Sequence, residues 1–114
     1  MSKVLLVDDE SFFIDAIGST LKGEFSDIEV LEASDGKSAW NKYLEFMPDL
    51  VITDYKMPNW DGVELSRAIH KKDNKFPVVL ITGFADKVDA ELFSDVLLKP
   101  FSIDDLITVA RKHL

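Results

Sequence analysis

Residues 4–10, VLLVDDE, pass from four apolar side chains directly into three carboxylates. Val4, Leu5, Leu6 and Val7 show no polar alternation, the pattern of a strand covered on both faces. Asp8 and Asp9 then set like charges side by side at its end. Two carboxylates about 4 Å apart repel by roughly 4 kcal/mol at an effective dielectric near 20. Taken alone, adjacent acids at a strand end fit a solvated turn or helix start as well as a cation site.

Similar apolar runs recur at Ile28–Ala33 (with Glu29 and Glu32 interleaved), 50–53, Val78–Thr82 and 96–98. Between them apolar residues return at spacings of three and four, as in Ile14, Ile17, Leu21 and Phe25, or Ala39, Trp40, Tyr43, Leu44 and Met47. Leu65, Ala68 and Ile69 repeat the pattern, as do Ile103, Leu106, Ile107 and Ala110; these are helix stripes. Pro48 follows the second stripe and Pro77 opens a strand where a missing donor is tolerated. Ser102 with Asp105 makes an acidic variant of a capping box, and Phe101 with Leu106 a staple across the same end. Residues 86–93 have room for about two helical turns, the shortest of the helical segments. Strand and helix alternate five times, which predicts an α/β fold: a doubly wound parallel sheet with helices on both faces. Ligands of such sheets sit beyond the carboxyl ends of the strands, near the point where strand order reverses.

Composition narrows the function. The chain has 114 residues, enough for one compact domain over 1–114. At 46% hydrophobic it can bury a core, and without cysteine it has no disulfide framework or thiolate metal site. No apolar run approaches a membrane span, and the N-terminus lacks the pattern of a signal peptide, so a cytoplasmic setting is expected. A net charge of −8 argues against direct nucleic-acid binding and for protein or cation partners.

Acids and their complements fall at the strand ends. The first run ends in Asp8 and Asp9, the third (DLVITDYKMPNWDG, 49–62) in Asp54, the fourth in Thr82 and Gly83, the fifth in Lys99. A parallel sheet brings these together at one edge. Three carboxylates in a small site require a cation, and hard oxygen ligands with room for water suit Mg²⁺ or Mn²⁺. A carboxylate beside such an ion is a nucleophile toward a phosphoryl group, with the ion and a lysine neutralising the equatorial oxygens. Asp54, alone on a middle strand, is the candidate nucleophile; Asp8 and Asp9 are candidate metal ligands.

Taken together, LLVDDE, PDLVITDYKMPNWDG, LITG and LLKPF resemble the receiver domains of two-component response regulators over essentially the whole chain. The resemblance implies a flavodoxin-like sheet of strand order 2-1-3-4-5 and Asp54 as phosphoacceptor. It implies Asp9, Asp54 and the Lys56 carbonyl as direct Mg²⁺ contacts, with Asp8 partly through water. Thr82 and Lys99 would bind the phosphoryl group, and the Lys99–Pro100 peptide would be cis. Partners would be a sensor histidine kinase or a histidine phosphotransfer protein and, downstream, a protein effector; with the chain ending after its last helix, that effector is expected outside this sequence.

Three positions depart from the family pattern. Val96 stands where receivers commonly carry Tyr or Phe, the stretch from Thr82 to Lys99 is shorter by about one helical turn, and Phe84 is bulky near the threonine. The shortened fourth helix and Val96 predict an output by ordering of residues 83–94 instead of a ring swinging at the fifth strand. They also raise an alternative, a receiver-fold interaction module that works without phosphorylation. A phosphatase reading is weaker, because Lys56 replaces the second acid it would want, and no phosphate loop for a flavin follows the first strand. Asp35-Gly36 and Asp61-Gly62 read as turn or helix-cap chemistry. His70, beside Lys71 and Lys72, reads as part of a solvated helix face, and His113 as a cation at a helix end.

Overall fold

The computed structural model of the chain describes residues 1–83 and 89–114. Five parallel strands, β1 (Ser2–Val7), β2 (Ile28–Ala33), β3 (Leu50–Asp54), β4 (Val78–Thr82) and β5 (Asp95–Leu98), form one sheet in the order 2-1-3-4-5. Among the described residues four α-helices connect or follow them: α1 (Ser11–Glu24), α2 (Gly36–Phe46), α3 (Gly62–Lys72) and α4 (Ile103–His113). The register pairs Val7 with Ala33 on one side and with Thr53 on the other, and Asp54 with Ile81. The carboxyl ends of β1, β3 and β4 are therefore level.

Two cores explain the uninterrupted apolar strands. Val4, Leu6, Leu50, Ile52, Val79 and Ile81 pack with Ile14, Ile17 and Leu21 of α1 and Leu106 and Ala110 of α4. Leu5, Val7, Val51, Val78 and Leu80 turn to the other face, against Ala39 and Tyr43 of α2 and Leu65 and Ile69 of α3. Successive strand residues point to opposite faces, so a strand sandwiched between helix layers is apolar at every position. Among the described residues no helix is long and apolar enough to cross a membrane.

Local chemistry fixes the helix starts. The Asp35 carboxylate accepts from Ser38 N at 2.7 Å, and Asp61 and Glu64 form a reciprocal capping box on α3. The Ser102 hydroxyl accepts from Asp105 N at 3.0 Å, with Phe101 and Leu106 in the same core.

Two expectations need correction. Of the helix expected over 86–93, residues 86–88 lie outside the described residues, and the described remainder holds a single 3₁₀ turn, Ala90–Leu92. Asp89 caps this turn by accepting from Glu91 N, Phe93 is buried, and Ser94 N already bonds Val78 O to open β5. The buried Phe93 and the sheet pairing from Ser94 follow this turn directly. His70 is not on a solvated face: it is half-buried, with Nε2 2.9 Å from Phe76 O and Nδ1 3.4 Å from Ser66 Oγ.

Candidate functional site

The strand order reverses at β1, whose neighbours β2 and β3 lie on either side. At the carboxyl end of that crevice the chain places Asp8 and Asp9 after β1 and Asp54 as the last residue of β3. Asp8 is 4% exposed and Asp9 is exposed. Carboxylate oxygens of Asp8, Asp9 and Glu10 lie within 4.8 Å of one another. Glu10 is thus a third acid of the β1 end that spacing alone had not singled out; its own N–H donates to Asp8 Oδ1 at 2.9 Å.

Asp54 is held from two directions. Its Oδ1 accepts from the Tyr55 N–H at 2.9 Å and lies 3.6 Å from Lys99 Nζ. Lys99 arrives there because its N–H donates to the Thr82 carbonyl at 2.9 Å, extending the β4–β5 pairing by one residue. Thr82 is buried at the end of β4, Gly83 is exposed, and the Lys99–Pro100 peptide is cis. Lys56 is exposed on the loop following Asp54. Val96 sits apart from this group, half-buried against the core on the α2–α3 face.

The loop after Asp54 is shaped by two glycines. Gly62 N donates to Tyr55 O at 2.7 Å, and a Cβ at Gly62 would lie 2.4 Å from the Asp54 carbonyl oxygen. A Cβ at Gly36 would lie 2.3 Å from Trp60 O. The loop therefore packs backbone to backbone against the start of α2 and its own return to α3. Asn59 and Trp60 adopt φ of 50° and 81°, a region a bulky side chain rarely enters. Trp60 is retained there by Trp40, with ring centroids 6.3 Å apart, and by Lys37 Nζ 4.6 Å from its ring. Asp35-Gly36 and Asp61-Gly62 read from the sequence as turn or helix-cap chemistry, and each aspartate is the N-cap with its glycine opening the helix; the close-approach role of the glycines needed the tertiary structure.

Burial pushes the Asp8 carboxyl up from 3.8 to about 6. The Glu10 N–H opposes that rise, Asp54 adds to it and Lys99 reduces it. Asp54 is also raised, first by burial, with the Tyr55 N–H and Lys99 pulling it down and Asp9 pushing it up. Both carboxylates are therefore charged at a cost, set first by burial and only partly offset by Lys99. A donor set of carboxylates only, partly withdrawn from water, fits a hard divalent cation and not a soft one.

A family model for the response regulator receiver domain matches residues 4–111. This chain belongs to that family. The receiver is 31% identical to the DNA-binding response regulator MtrA of Mycobacterium tuberculosis, over 98% of this chain and 50% of MtrA. It is 32% identical to the alkaline phosphatase synthesis transcriptional regulatory protein PhoP of Bacillus subtilis, over 88% of this chain and 43% of PhoP. The receiver thus spans about half the length of these curated relatives. Among solved structures, the response regulator TrrA of Thermotoga maritima, in complex with Mg²⁺ and BeF, superposes with a TM-score of 0.90 at 28% identity over the whole of both chains. The chemotaxis response regulator CheY4 of Vibrio cholerae gives 0.84 at 27% identity, covering 100% of this receiver and 99% of CheY4. The sheet order 2-1-3-4-5 is the receiver fold the sequence had implied.

Proposed function

We propose that this receiver, taken as one unit over 1–114, takes a phosphoryl group onto Asp54 and passes the change to a protein partner. The observation that carries the proposal is the placement of Asp54: it ends a central strand, its carboxylate is 3.6 Å from the Lys99 ammonium, and it is electrostatically coupled to Asp8 and Asp9. In the transfer an Asp54 oxygen forms a bond to phosphorus while the donor's N–P bond breaks, and the electron pair and a proton end on the donor imidazole. Lys99 meets the phosphoryl oxygens as their charge approaches Asp54, and the Thr82 hydroxyl, one residue beyond the Asp54–Ile81 pair on the next strand, donates to them. Gly83, with open space where a Cβ would be, leaves the approach beside Thr82 clear. Asp8, Asp9, Asp54 and the Lys56 carbonyl would hold Mg²⁺, for which Mn²⁺ could substitute. The ion's contribution when bound is to neutralise the acids and the incoming phosphoryl charge.

The donor in this reading is a sensor histidine kinase or a histidine phosphotransfer protein, and the recipient of the signal a downstream protein effector, in a cytoplasmic phosphorelay. The chain acts as phosphoacceptor and not as an enzyme with an external substrate. MtrA is named as a DNA-binding regulator; in this reading contact with DNA belongs to parts outside the receiver. The test is intact mass after incubation with Mg²⁺ and acetyl phosphate. Addition of one phosphoryl group to wild type and none to Asp54→Asn is expected. Equal labelling of the Asn variant would refute the assignment, and an unlabelled wild type would favour a module that works without phosphorylation.

A further inference from the structure

Lys99 has a second partner besides Asp54. Its ammonium lies 4.6 Å from the centroid of the Phe13 ring, in the first turns of α1. The Phe13 ring is itself fixed edge-on by Phe101, with centroids 6.0 Å apart and planes at 85°. It also borders the small recess that Asp8, Thr53 and Asp54 line. The ring therefore lies beside both the Lys99 ammonium and the Asp8–Asp54 end of the sheet.

A lysine ammonium is a hydrated point charge on a flexible stem, so its position must be imposed by its surroundings. At 3.6 Å, Asp54 attracts Lys99 without the short contact of a strong charge-assisted hydrogen bond. Asp54 is also the group whose charge the reaction changes. An aromatic face attracts the cation through its quadrupole and is unaltered by transfer, so it holds the ammonium in both states.

We propose that Phe13 is a positioning residue for the phosphoryl chemistry, its ring seating the Lys99 ammonium beside Asp54. The proposal rests on the reading of Asp54 as phosphoacceptor. Phe13→Leu keeps an apolar side chain against the lysine stem and removes the π face; Phe13→Tyr keeps both. If Phe13 only packed against the stem, Leu would serve as well as Tyr.

The experiment has two readouts on the full chain. The first is the ¹H–¹³C spectrum of protein labelled at lysine, with the Lys99 ε-methylene signal assigned by its loss in Lys99→Arg. A ring-current upfield displacement of that signal is expected in wild type and Phe13→Tyr, and its loss in Phe13→Leu. The second is the rate of phosphoryl addition from acetyl phosphate with Mg²⁺, followed by intact mass. Phe13→Leu is expected to react about 3- to 10-fold more slowly, in keeping with the worth of a partly desolvated cation–π contact, and Phe13→Tyr within about twofold of wild type. Urea midpoints are compared for each variant; if Phe13→Leu does not fold, Phe13→Met takes its place. An undisplaced Lys99 signal in wild type, or a Leu or Met variant that reacts at the wild-type rate, overturns the proposal while leaving Asp54 as acceptor. A wild type that takes no phosphoryl group overturns the Asp54 reading and this proposal with it.

Discussion

Replacing Asp8 by Asn is expected to stabilise the metal-free protein at neutral pH. Asp8 is 4% exposed and its carboxyl is raised from 3.8 to about 6, chiefly by burial. An acid whose native value lies above its unfolded value binds more protons when folded, so stability falls as pH rises through that window. Above pH 6 the full cost is present. At about 1.36 kcal/mol per pH unit it amounts to roughly 3 kcal/mol. Asn retains an oxygen to accept the Glu10 N–H, which bonds Asp8 Oδ1 at 2.9 Å, but brings an amide N–H₂ that must find a partner. A net gain of about 1–2 kcal/mol is therefore the expectation. For a chain of this size that is a rise of roughly 4–8 °C in Tm. Urea unfolding without divalent cations at pH 7 and at pH 4.5 is the assay. The gain should be full at pH 7 and fall by about 2 kcal/mol, to zero or slightly below, near pH 4.5, where the native acid is protonated. Mg²⁺ should stabilise wild type by mass action and stabilise the Asn variant less. A variant no more stable than wild type at pH 7, or one with the same gain at both pH values, would refute the desolvation reasoning.

Gly62→Ala should cost at least about 2 kcal/mol, since its Cβ would lie 2.4 Å from the Asp54 carbonyl oxygen. Gly23→Ala, with nothing within 4 Å, should instead stabilise α1 by about 0.5–1 kcal/mol. Denaturant midpoints of the pair check the close-approach argument, and equal effects would refute it. Asp95 accepts from His113 Nε2 at 2.8 Å and Lys112 Nζ at 3.1 Å. Although burial pushes its carboxyl up, these partners hold it below the ordinary value. An acid so lowered stabilises the fold above its unfolded value, and the contribution is lost as pH falls through the native one. Asp95→Asn should therefore cost about 0.5–1 kcal/mol at pH 7 and progressively less below pH 4, measured by urea unfolding. Lys99→Met should fold with near-wild-type stability yet show a weaker change in amide exchange when a phosphoryl mimic is added with Mg²⁺. A full exchange response in that variant would remove Lys99 from the switch.

The strands were legible because a sheet covered on both faces imposes an apolar residue at every position, as in Val4 to Val7. The helices were legible from stripes at three and four, and their starts from Asp35, Asp61 and Ser102, whose side chains satisfy N–H groups within the same turn. Asp8, Asp9, Asp54 and Lys99 could be marked as strand-end residues for the same reason: strand ends are local, and a parallel sheet aligns them. What local pattern could not give was distance and solvent access. The β1–β3 register is what buries Asp8 and brings it within electrostatic reach of Asp54. Phe13 reads simply as one residue of a helix; its place under Lys99 follows from α1 and the β5–α4 connection meeting on the same face of the sheet. His70 reads as solvated because its chain neighbours are lysines, whereas its ring is held by Phe76 O and lies near the Ser66 hydroxyl. The 3₁₀ turn at Ala90–Leu92 likewise depends on where β5 begins to pair. Composition and periodicity report what each residue must do within its own element. Burial, charge balance and cation–π contacts depend on residues distant in the chain, and only the packed fold brings those together.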